Sequence, residues 1–278
     1  MVVLGGANQY HLQGETVMKK ATAQLFLALL LFFGLWYALS LINYVDETTG
    51  ENLEMETEAK IGSLLLKQID LKYRATQNDS LFAVVEDIHR RLCEANGIDP
   101  ETIDVHIFNS DIPNALALPG RNVVFFTGML HHTENPEEFA GILAHEIAHI
   151  ENHHIRDRLT REFGLTLLMT ISGMDGAPEV LANMLRMISS SAYSREQERE
   201  ADQTAAEYLV SAEIDPIHLA NVLLRLSGMQ AQGDQPIPGW ISTHPDPRDR
   251  ADALMQDHEG EPVEIRPLYA GNWKELMK

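Results

Sequence analysis

The sequence predicts a mainly α protein with a small antiparallel β-sheet, an α+β class, on three observations. Several long stretches repeat apolar residues at helical spacing. Two short runs, Thr102–Ser110 and Asn122–Thr127, are rich in β-branched and aromatic residues, as strands are. A Pro-Gly turn signal lies between them, in "DIPNALALPGR". The chain has 278 residues, 45% hydrophobic and 22% charged, enough for a substantial core. Its formal charge of -20, from 21 Lys and Arg against 41 Asp and Glu, argues against nucleic acid as a partner, because phosphate binding needs a basic face. The single cysteine, Cys93, excludes an internal disulfide and a cysteine-rich zinc site, and reads as an inert buried thiol.

Taken in order, the N-terminus comes first. Residues 1–20 read as a leader, with Met18 as an alternative start. Ala21–Ile42 is a stretch of 22 residues without a charge, preceded by Lys19 and Lys20. A bilayer core needs about 20 such residues in a helix, so this is read as a transmembrane anchor. The lysines before it and the acidic residues after it put the N-terminus in the cytoplasm and the rest of the chain across the membrane, in the periplasm of a bacterium. The competing reading is a signal sequence, cleaved to leave a soluble periplasmic protein. Residues 43–55 form an acidic linker, and 56–278 the main domain.

A helical stretch follows the linker to about Arg74. Leu81, Val84, Val85, Ile88 and Leu92 then make one apolar face of an amphipathic helix that Gly97 and Pro100 end. After the two strands, Asn135, Pro136 and Glu138 have the types expected at N-cap, N1 and N3 of a helix with a capping box. Phe163–Met174 and Val180–Ile188 are apolar but short, and read as a buried hairpin or a membrane-facing flap. Further helices cover about Arg195–Val210, Asp215 to near Gly228, and from Pro247 onward.

The helix capped by Asn135 carries "HEIAH". Residues four apart on a helix share a face, so His145 and His149 can direct their imidazoles at one ion, while Glu146 sits one position round, within reach of a water there. This is the content of H-E-x-x-H: two metal ligands and a general base. Asn152 and Ile155 stand where a metzincin needs Gly and His, which excludes that class. A glutamate on a later helix is the other route to a third ligand. "SREQEREAD" offers Glu198 as that ligand and, four residues on, Asp202 to accept the second ring N–H of a ligand histidine. Small Ala201, Ala205 and Ala206 would let the two helices approach closely. The alternative for such a run is a solvated acidic face. His153 lies a further turn along, too far for the same tetrahedral ion, and His154 is placed no better.

"HEIAH", then "SREQEREAD", then "THPDPRDR" together resemble the zinc metallopeptidase family of the HtpX heat-shock protease, the CAAX prenyl endopeptidase and the BepA and Oma-type membrane-associated peptidases. The resemblance covers about Leu81 to Leu254, including "NALALPGRNVVFFTGML" before the active helix. It implies a gluzincin-type zincin domain, with one Zn2+ per chain on His145, His149 and Glu198, and Glu146 as base; the one transmembrane helix read before it departs from HtpX-like members, which carry several spans. It implies that the strand around Val123 and Val124, or its neighbour with Asn114, Ala115 and Leu116, binds an extended polypeptide as an added strand. His244 resembles the family's accessory histidine, which stabilises the oxyanion or takes the free zinc position at rest. Arg250 is read as an anchor for the carboxylates. Quality control of misfolded or unassembled envelope proteins is the family-level expectation. The rival is a non-catalytic or latent membrane-tethered binding protein, a holdase; intact Glu146 speaks against it, since a structural site needs no base.

Overall fold

The computed structural model describes residues 24, 29–30, 32–34, 47–173, 178–232, 239–258 and 265–277. Most of the expected span 21–42 lies outside them; Gln24, Leu29, Leu30 and Phe32, Phe33 and Gly34 within it are helical. Among the described residues no helix is long and apolar enough to cross a membrane.

Helix α1 (Glu47–Lys72) starts inside the stretch read as an acidic linker, and buries Ile61, Leu65 and Ile69 on one face. Gly62 permits its closest approach to the domain: a Cβ there would run into the carbonyl oxygen of Pro119. Helix α2 (Asp79–Ala95) begins where the Asn78 side chain accepts the N–H of Leu81, and buries Leu81, Val85, Ile88 and Leu92 as the spacing predicts. Cys93 is fully buried, and burial pushes its thiol up to about 12.

The sheet has three strands, β1 (Asp104–Phe108), β2 (Ala115–Leu118) and β3 (Asn122–Phe126), in the order β1-β3-β2. It is mixed, which corrects the expected antiparallel sheet: β1 pairs with β3 in parallel, and only β2 with β3 antiparallel. The segment read mainly as a turn-bearing connection contains β2. It folds back on β3 through Pro119, Gly120 and Arg121, the last two at positive φ, and so leaves β1 to enter from the other side. β3 is buried along its whole length and has a neighbour on each side.

The short helix α3 (Thr127–His131) leads to α4 (Pro136–Glu151), buried from Pro136 to Ile150 except at Glu137. Asn135 caps α4 by accepting the N–H of Glu138 at 2.8 Å. The expected capping box closes only one way, because the Glu138 carboxylate bonds the N–H of Glu134 and takes both guanidinium nitrogens of Arg225, at 2.6 and 2.8 Å. Helix α5 (His154–Gly173) is broken at Gly164, and α6 (Pro178–Ser190) buries Leu181, Met184 and Ile188. Helices α7 (Arg195–Ser211), α8 (Ile217–Gln232), α9 (Trp240–Thr243), α10 (Pro247–Asp257) and α11 (Trp273–Leu276) complete the chain. Both α7 and α8 pack on α4, and α6 lies against β2 and α9.

Candidate active site

Helix α4 passes through the centre of the domain, so His145, Glu146 and His149 have no exposure at all. Helix α7 begins with a reciprocal capping box between Ser194 and Gln197, which sets Glu198 in its first turn. Ala201, Ala205 and Ala206 are fully buried on the face that packs on α4. Their lack of bulk brings Glu198 to both histidines: its oxygens lie 3.7 Å from Nε2 of His145 and 3.5 Å from Nε2 of His149.

His244 joins them from the residue after α9. Its own N–H bonds the carbonyl of Trp240, and the carbonyl of Thr243 accepts the N–H of Tyr193, which ties this segment to the start of α7. Its Nδ1 lies 2.9 Å from Oε1 of Glu198 and 3.1 Å from Nε2 of His145. One ligand atom from each of His145, His149, Glu198 and His244 falls within 4.8 Å of all the others. Asp246 at φ 55 turns the chain into α10, and Arg250 in the first turns of that helix chelates Asp202 with two bonds of 2.7 Å while also contacting Glu198. Asp202 in turn lies 3.0 Å from Nδ1 of His145.

These contacts test whether a metal fits. With Nδ1–H of His145 given to Asp202, its Nε2 is a bare acceptor. It faces Nε2 of His149 at 3.1 Å and the Glu198 carboxylate, an acceptor too. Nε2 of His145 and of His149 and the Glu198 carboxylate converge, with Nδ1 of His244 and the Arg250 guanidinium beside them, and two histidines with a glutamate suit zinc. Burial pushes His145 and His244 down to about 4 and His149 to about 3, which keeps the imidazoles neutral, the form that ligates. Burial opposes ionisation of Glu198, but His244 and Arg250 override it and hold the group well below the usual carboxylate range. Since burial keeps His244 neutral, Arg250 supplies the lasting charge. For Asp202 burial is likewise outweighed by Arg250, which brings it to about 2.

Glu146 differs. Burial pushes it up to about 7, against bonds to both oxygens: the Trp240 indole N–H on Oε1 at 2.7 Å and the Ala117 N–H on Oε2 at 2.8 Å. His244 Nε2 lies 3.5 Å from Oε1. Ala117 belongs to β2, an edge strand of the sheet, and Ala115 and Leu116 precede it with Asn114 just before the strand. Val123 and Val124 sit on the middle strand with both edges paired, so of the two strands named in the sequence only the neighbour of β3 has an edge left.

Three contacts escaped sequence reasoning. Trp240 precedes His244 by four residues, so helical spacing stacks its ring on the histidine at 4.3 Å and aims its N–H at Glu146. Tyr193, just before the Ser194 cap, stacks on His149 at 4.0 Å. His154, dismissed as a ligand, lies with Nδ1 2.9 Å from Nδ1 of His149. His153 leaves the helical face at φ 58.

A buried set of two histidines and a glutamate on packed helices, beside a glutamate held at both oxygens, is the equipment of a metal-dependent hydrolase. The chain belongs to peptidase family M48, whose sequence model matches residues 79–257, and M48 peptidases use zinc. It is similar to the beta-barrel assembly-enhancing protease of Yersinia pestis, 26% identical over 249 residues, covering 84% of this chain and 50% of the relative. It is also similar to the mitochondrial metalloendopeptidase OMA1 of Arabidopsis thaliana, 30% identical over 155 residues, covering 55% of this chain and 31% of the relative. The beta-barrel assembly-enhancing protease of Escherichia coli strain K12 is 23% identical over 234 residues, 79% of this chain and 47% of its own. The chain thus spans half or less of the length of these relatives.

Proposed function

We propose that the chain is a zinc endopeptidase acting on misfolded or unassembled envelope proteins, with His145, His149 and Glu198 as ligands. The convergence of ligand atoms of His145, His149, Glu198 and His244 beside the doubly held Glu146 carboxylate is the observation that carries this reading. The chemistry a zinc ion supplies to such a set is Lewis acidity toward a carbonyl and acidification of water. Glu146 accepts the proton of the attacking water and returns it to the leaving amine, the role its position beside the ligands suits. Trp240 and Ala117 orient its carboxylate. Asp202, held by Arg250, fixes His145 with Nε2 toward the ion. An extended polypeptide adds to the β2 edge at Asn114, Ala115 and Leu116. We assign residues 21–42 to an anchor, or to a cleaved signal, that places domain 56–278 on the non-cytoplasmic face, as the charges flanking that stretch suggest. The relatives named for assembly of β-barrels support envelope quality control.

The latent reading has one specific observation in its favour. His145, Glu146 and His149 are wholly buried and His244 is 1% exposed, with α6 beside β2 and α9. In this reading His244 would join His145, His149 and Glu198 in holding the ion at rest, and the Trp240–His244 segment would withdraw before a substrate reaches Glu146. The experiment measures zinc per chain and cleavage of casein by the purified protein, before and after chelation. The proposal expects one zinc, cleavage, loss on chelation and recovery on zinc addition; cleavage that survives full removal of zinc would overturn it.

A further inference from the structure

His154 and Glu200 belong to no part of the chemistry described so far, yet they touch it. His154 starts α5 directly after the turn that ends α4, is 3% exposed, and faces the side of His149 turned away from the ligand cluster. Its Nδ1 is 2.9 Å from Nδ1 of His149, and its Nε2 is 3.3 Å from Oε2 of Glu200. Glu200 stands on α7 two residues after Glu198, with its side chain 59% exposed.

The tautomers follow from these partners. His149 turns Nε2 to the cluster, so its ring proton sits on Nδ1 and is donated to His154. His154 therefore accepts at Nδ1 and carries its own proton on Nε2, where the Glu200 carboxylate receives it. Every donor in the row meets an acceptor in one direction only. His145 has a row one link shorter, in which Nδ1–H is donated directly to Asp202, a carboxylate that also accepts from Arg250.

We propose that His154 and Glu200 are positioning residues for the metal: a His149–His154–Glu200 relay fixes the tautomer and ring orientation of His149, and so sets metal affinity from the protein surface. The inference rests on the zinc reading above. The two ligand histidines are thus held unequally. His145 is braced by a buried ion pair, whereas His149 is braced through a second imidazole by a carboxylate in contact with solvent. Outer partners of this kind change metal affinity by about 10–100-fold when removed.

The test measures zinc affinity of the full-length protein by competition with a chromophoric chelator, and thermal stability with and without zinc. His154→Leu is expected to bind zinc about 10–100-fold more weakly. His154→Gln, whose carbonyl oxygen can still accept from His149, recovers most of that loss. Glu200→Gln, on the surface, leaves the zinc-free melting temperature unchanged and weakens binding several-fold, with a smaller rise in melting temperature when zinc is added. This guards against a His154→Leu protein that fails to fold. Affinities within twofold of wild type for both His154→Leu and Glu200→Gln would overturn the relay and leave the peptidase reading intact. Wild-type protein that takes up no zinc would overturn both.

Discussion

The indole Nε1–H of Trp240 donates to Oε1 of Glu146 across 2.7 Å, and both groups are fully buried. A bond from a neutral donor to a carboxylate favours the ionised form, so it works against the burial that pushes Glu146 up to about 7. Trp240→Phe keeps the ring and its stacking but removes the donor. Glu146 then keeps its proton to higher pH, and the acidic limb of the kcat/KM profile moves upward. Turnover at neutral pH falls by about 10-fold, the lower end of what a charged hydrogen bond supplies. A profile measured across pH 5–9 at equal zinc content checks this; an unmoved limb would remove Trp240 from the base's environment.

Arg250 is the buried cation that Asp202 and Glu198 share. Arg250→Met leaves two carboxylates unpaired in the interior, a loss of about 3–5 kcal/mol for a broken buried pair. The pH dependence should also reverse. In the native protein Asp202 is held at about 2, below its unfolded value, so its contribution is present above about pH 4 and lost as pH falls toward 2. Without the guanidinium, burial raises both carboxyls, and protonation at lower pH relieves the penalty. Denaturant midpoints at pH 7 and pH 4.5 should therefore differ most between the two proteins at pH 7.

His244 offers Nδ1 to the cluster while its Nε2 lies near Glu146. If it holds the fourth position at rest, His244→Ala raises cleavage of unfolded protein several-fold and weakens zinc binding. If it serves the oxyanion instead, the same change lowers kcat with KM little altered. Initial rates against casein separate the two.

Gly62 packs against the turn between β2 and β3, where a methyl group meets the backbone oxygen of Pro119. Gly62→Ala is expected to destabilise the domain by about 1–3 kcal/mol, as overpacking does, despite the better helix propensity of alanine. Thermal unfolding checks the sign; a stabilised variant would show that α1 does not hold the domain at this point.

Helix α2 was legible because it buries one face at helical spacing, and α4, buried nearly all round, was legible from its apolar periodicity and its Asn135 cap. His145, His149, Glu198 and Asp202 stood out by helical spacing, His244 and Arg250 only through the family resemblance, and the side chains of all six lie in mutual contact. The sheet was harder. "ALAL" has neither the length nor the β-branching of a strand, and its pairing comes from the Pro-Gly turn and from Glu146, which binds its Ala117 N–H. Parallel pairing of β1 with β3 depends on that hairpin, a long-range fact that no local pattern carries. Trp240, Tyr193 and His154 escaped for a related reason. Each contacts a site residue through packing between separate elements, and His154 only after the chain has turned at His153.

The role proposed for Glu146, the base of a zinc peptidase, is checked by zinc content and casein cleavage of the wild type beside Glu146→Gln. The two carboxamide atoms of Gln keep the shape between Trp240 and Ala117, so the variant should hold zinc as the wild type does. The expected result is equal zinc and a rate lower by about 10²–10⁴-fold, the contribution of a positioned general base. Equal zinc with equal cleavage would contradict it.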